Sequence, residues 1–76
     1  MLTVEQIALL RCIQELTTSQ DGDCPTVVEI ADYIHVPIYV ASTAVSRLVE
    51  RGHARIERKA GFKVVRAVRG PDGALL

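Results

Sequence analysis

The sequence predicts an α+β domain, a three-helix helix-turn-helix core followed by a two-stranded β-hairpin. Three observations predict it. Two stretches of helical apolar periodicity each open on a Thr-x-x-Gln or Thr-x-x-Glu capping box, and a third runs from Pro37 to Gly52. Beyond Gly52 the apolar period changes from about 3.6 residues to 2, the spacing of a strand.

The first helix begins near Val4, because Thr3-Val4-Glu5-Gln6 lets the Thr hydroxyl cap the third helical amide while Gln6 reaches back to the cap. Leu9, Ile13 and Leu16 form its core stripe, flanked by Leu10 and Cys12. Thr17 to Asp23 is rich in poor helix formers and is expected to be loop. Thr26-Val27-Val28-Glu29 opens a short second helix with Val27, Ile30, Ala31 and Ile34 on one face. It must stop before Pro37, and His35 stands where a left-handed terminator is expected.

The third helix spans about 38–51. Ala41, Ala44, Val45 and Leu48 make its inner face, and their small size allows close approach to a neighbouring helix. The turn His35-Val36-Pro37 between two short helices fits a helix-turn-helix unit. A hairpin over about 54–69 follows, with Ala54, Ile56 and Arg58 alternating with Arg55 and Glu57. Lys59-Ala60-Gly61 supplies its turn, and Phe62, Val64 and Val65 lie in the return strand. Residues 1–70 are thus expected to form the domain and 71–76 a flexible C-terminal tail, since Gly70-Pro71-Asp72-Gly73 interrupts any strand.

A chain of 76 residues supports one thin core, which excludes a two-domain enzyme and favours a binding module. No apolar run reaches the roughly 20 residues needed to cross a bilayer. Acidic Glu5 within the first apolar stretch, with no basic leader, predicts a cytoplasmic protein in which Cys12 and Cys24 stay reduced. No catalytic residue, metal site or cofactor is expected. His35 and His53 lack Cys or carboxylate neighbours at ligand spacing, and Gly61 and Gly70 form no phosphate-binding loop.

The formal net charge of zero conceals a division by position. Residues 1–46 hold one strong base against six acids, a net of −5, whereas residues 47–76 hold eight bases against three acids, a net of +5. The basic half is an electrostatic footprint for a polyanion, or else a solvated face that keeps a small sheet soluble.

The order helix, helix, turn, helix, basic hairpin resembles the winged helix-turn-helix family of bacterial and phage DNA-binding transcriptional regulators, over about residues 3–69. Thr26-Val27-Val28-Glu29-Ile30-Ala31-Asp32-Tyr33-Ile34 is similar to the family's first motif helix, with Ala31 at the small packing position. The run from Ala41-Ser42-Thr43 through Arg47 and Leu48 to Gly52 is similar to its recognition helix. In layout the chain resembles the regulators of the multiple-antibiotic-resistance type and the SOS-response repressor's N-terminal domain. It departs from the pattern at His35, where the family's turn usually has Gly, and in the apolar entry Ile38-Tyr39-Val40.

The resemblance implies a ligand, double-stranded DNA. The third helix would read the major groove with Tyr39, Ser42, Thr43, Ser46 and Arg47, although Arg47 could instead pair with Glu50. Arg58, Lys59 and Lys63 at the wing would contact phosphates or the adjacent minor groove. Such modules usually pair over two half-sites, so a homodimer through Val4, Ile7 and Ala8 is expected unless the hairpin or tail covers those residues. The alternative is a protein-interaction module that docks a partner through Ile38, Tyr39 and Val40.

Overall fold

The computed structural model describes residues 2–76 and arranges them as α1 (Val4–Ser19), α2 (Val27–Ile34), α3 (Ile38–Glu50), β1 (Ala54–Lys59) and β2 (Phe62–Ala67). Three helices followed by an antiparallel hairpin make this an α+β structure with the layout of a helix-turn-helix and wing. No helix among the described residues is long and apolar enough to cross a membrane.

Both capping boxes form. Gln6 N donates to Thr3 Oγ1 at 3.1 Å and Thr3 N to Gln6 Oε1 at 2.9 Å. The same reciprocal pair joins Glu29 N to Thr26 Oγ1 at 3.2 Å and Thr26 N to Glu29 Oε1 at 2.9 Å. A second Glu29 oxygen accepts from Gln20 Nε2 at 2.6 Å, which ties the end of α1 to the start of α2.

The first helix runs through Ser19, three residues into the expected loop. The hydroxyls of its polar end are satisfied within the helix, as Thr17 Oγ1 donates to Ile13 O at 2.7 Å and Ser19 Oγ to Leu16 O at 3.1 Å. The helix stops where Asp21 and Gly22 take positive φ of 56° and 92° and Gly22 N donates to Thr17 O at 2.8 Å. In α2 the terminator is His35, at φ 58° and ψ 49°, and Val36 N closes on Ala31 O at 3.0 Å. Ile34, assigned by periodicity to the buried face, lies beside this left-handed turn and stays partly exposed.

Leu10, Ile13, Ile30, Leu48 and Val65 are among the largest fully buried apolar side chains, so helices and hairpin share one core. That core contains no aromatic ring. Ala41, Val45 and Leu48 face inward from α3 as their spacing predicts, with Ala44 packed at the core's margin. The hairpin pairs Ala54↔Ala67, Arg55↔Arg66, Ile56↔Val65, Glu57↔Val64, Arg58↔Lys63 and Lys59↔Phe62. Its two turn residues, Ala60 and Gly61, have φ of 51° and 84°, the primed turn whose twist suits a two-residue hairpin.

One backbone contact fastens this hairpin to the segment before α2, and another extends its ladder beyond the two strands. Val65 N donates to Pro25 O at 2.8 Å, so the segment before α2 lies along β2, and His53 O accepts from Val68 N at 2.8 Å. Hydrogen bonding continues past the domain boundary expected at residue 70. Gly73 N donates to Gly70 O at 2.9 Å, Gly70 N to Ala74 O at 2.9 Å and Leu76 N to Val68 O at 2.9 Å. Arg69 Nη1 holds this turn by donating to Gly73 O at 2.9 Å.

Candidate nucleic-acid interface

The inward positions of α3 are taken by Ala41, Val45 and Leu48, so the helical period turns its remaining positions to solvent. Tyr39, Ser42, Thr43, Ser46 and Arg47 are all exposed. Tyr39, Thr43 and Arg47, four residues apart, line a groove between α3 and the start of α1, whose wall includes Thr3, Glu5 and Gln6. Thr43 Oγ1 donates to Tyr39 O at 2.9 Å, which leaves its methyl and the oxygen lone pairs for an approaching molecule.

Sequence reasoning passed over two residues of this groove. Arg51 lies one turn beyond Arg47 and extends its positive edge, a relation visible as a spacing of four. Glu5 comes from α1 and puts a carboxylate on the opposite wall, a juxtaposition that no sequence spacing discloses.

At the hairpin the register decides which cations are free. Arg55 and Arg66 stand directly opposite one another, a like-charge arrangement that costs stability unless it is bridged. Glu57 bridges them, accepting from Arg55 Nε at 2.8 Å and from Arg66 Nε at 2.7 Å. The Arg66 hydrogen bond holds the Glu57 carboxyl below its usual pKa, and its reciprocal raises Arg66. Arg58 and Lys63 are the second like-charge pair, nearer the tip, and no carboxylate bridges them among the described residues.

Lys59, expected to be a free wing cation, pairs with Asp23 of the loop before α2. Strand alternation puts it on the opposite sheet face from Arg58 and Lys63, toward that loop. The Arg47–Glu50 pair does not form, which leaves Arg47 without a carboxylate partner among the described residues.

The three residues expected at a homodimer surface divide. Val4 and Ala8 are exposed, whereas Ile7 is half-buried in a second groove with Leu2, His53, Arg69 and the C-terminal turn. In that groove His53 Nδ1 is buried without a hydrogen-bond partner, and burial followed by the Arg69 charge lowers its pKa. Cys12 and Cys24 are buried free thiols, and burial raises the Cys12 pKa. Comparison with protein-family models, curated proteins and solved structures finds no match.

Proposed function

We propose that this chain is a winged helix-turn-helix module that binds double-stranded DNA as a transcriptional regulator. The observation that carries the reading is a group of cations without carboxylate partners among the described residues, Arg47 and Arg51 along the α3 groove and Arg58 with Lys63 across the hairpin. Directly opposed like charges such as Arg58 and Lys63 destabilise the free protein, and a phosphate backbone supplies the missing counter-charge.

In this reading α3 enters the major groove, which is wide enough for a helix. Arg47 offers a two-pronged donor to guanine, Ser42 and Ser46 present hydroxyls, and the Thr43 methyl meets a thymine methyl. Arg58 and Lys63 fix the domain on the backbone and carry no sequence information themselves. A homodimer would double a footprint that is small for one module. The test is titration of the isotope-labelled protein with mixed-sequence duplex at low and moderate salt. Shifts of α3 and hairpin amides that weaken with salt are expected, and their absence at both salts would sink the proposal.

A second reading is favoured by the apolar entry to α3. Ile38 and Tyr39 are 55% and 73% exposed beside Val40, a grouping suited to a protein partner. Under it, Tyr39→Ala abolishes capture of that partner and leaves DNA affinity unchanged.

A further inference from the structure

All three aromatic side chains of this protein lie outside the core, although large rings are ordinarily its most effective filling. Tyr33 is 47% exposed and its hydroxyl donates to Glu15 at 2.6 Å, which gives it a structural task joining α2 to α1. Tyr39 belongs to the groove on α3. Phe62 has no such occupation. It is 67% exposed at the first position after the hairpin turn, directly opposite Lys59.

Three features give this ring a setting that points to a ligand. Its cross-strand neighbour, Lys59, is drawn aside to Asp23, so the cation that could have covered the ring is engaged elsewhere. The unbridged pair Arg58 and Lys63 stands one register step away on the other face. The turn itself is slender, because Ala60 and Gly61 carry only a methyl and a hydrogen. A narrow tip bearing an apolar ring among cations matches the minor groove of duplex DNA, which is about 6 Å wide, walled by phosphates and open to apolar wedges between base steps.

We infer that Phe62 is a wedge that enters the minor groove and stacks against a base step while Arg58 and Lys63 hold the flanking phosphates. The inference rests on the DNA-binding reading and adds to it a contact that is apolar and insensitive to salt. Pyrimidine–purine steps, which unstack most readily, are the favoured point of entry.

The protein contains no tryptophan, so Phe62→Trp places a single indole reporter at the tip. The full chain is titrated with a mixed-sequence duplex of about two helical turns, and then with one of its strands alone. Binding is followed by the anisotropy of a dye on the DNA and stacking by indole quenching. Phe62→Ala is compared with the unaltered chain across a salt series. On the duplex, quenching of the Trp variant is expected, and Phe62→Ala should weaken binding about tenfold with the salt dependence unchanged. If the duplex binds with the indole unquenched, or if Phe62→Ala binds as tightly as the unaltered chain, the wedge is refuted and the DNA-binding reading stands. Quenching by the single strand but not by the duplex overturns the wedge in favour of stacking on unpaired bases. If neither DNA binds, both readings fall together.

Discussion

Replacing Lys63 with Ala tests whether the unpaired cations of the hairpin contact phosphate. Each neutralised phosphate contributes about −0.9 to the slope of log affinity against log salt on duplex DNA. Arg47, Arg58 and Lys63 lack carboxylate partners among the described residues, whereas Lys59 is paired with Asp23. Arg58 and Lys63, the two set on phosphates, give a slope of about −1.8, so a fourfold rise in salt weakens binding about 12-fold. Lys63→Ala should reduce the slope to about −0.9 and the loss over the same interval to about 3.5-fold. Asp23→Asn works in the opposite direction, releasing Lys59 and steepening the slope to about −2.7. The exposed Lys59–Asp23 pair is itself worth at most about 1 kcal/mol, so affinity at low salt should rise by no more than about fivefold. Fluorescence anisotropy of a labelled mixed-sequence duplex over a salt series measures both slopes. A Lys63→Ala slope equal to that of the unaltered chain, or weaker binding by Asp23→Asn, would refute this assignment of free and engaged cations.

Two further outcomes concern the scaffold that presents this surface. Ala60 holds a positive φ that Asn tolerates better, so Ala60→Asn should stabilise the protein by about 0.5 kcal/mol, read as a higher urea midpoint at unchanged m-value, and a lower midpoint would contradict the primed-turn assignment. Because burial lowers the His53 pKa, the unfolded chain takes up a proton before the folded one does; stability is then undiminished above about pH 6.5 and declines as pH falls from there toward the folded value. His53→Gln removes that component and should shrink the fall in Tm between about pH 7 and about pH 5, whereas an equal fall in both proteins would show that the imidazole contributes nothing.

What the sequence by itself determined is local. Capping boxes at Thr3 and Thr26, the left-handed stop at His35 and the exclusion of helix before Pro37 involve residues within four of one another, so spacing suffices to read them. The inward face of α3 was legible for the same reason, and with it the outward side of Tyr39, Ser42, Thr43, Ser46 and Arg47. The end of α1 was misjudged because propensity disfavours Thr and Ser in helices, while their hydroxyls bond back to Ile13 and Leu16 once the helix is formed.

Only the tertiary structure decided which charges are free. Eight bases in the second half of the chain look alike in sequence, yet Arg55 and Arg66 share Glu57, Arg69 holds the C-terminal turn, and Lys59 meets an acid 36 positions away. Strand register left two more free, since it placed Arg58 opposite Lys63 beyond the reach of any carboxylate among the described residues. Ion pairs depend on through-space distances of a few ångströms between distant parts of the chain. Periodicity fixes the face on which a residue stands, and the fold alone fixes what stands opposite.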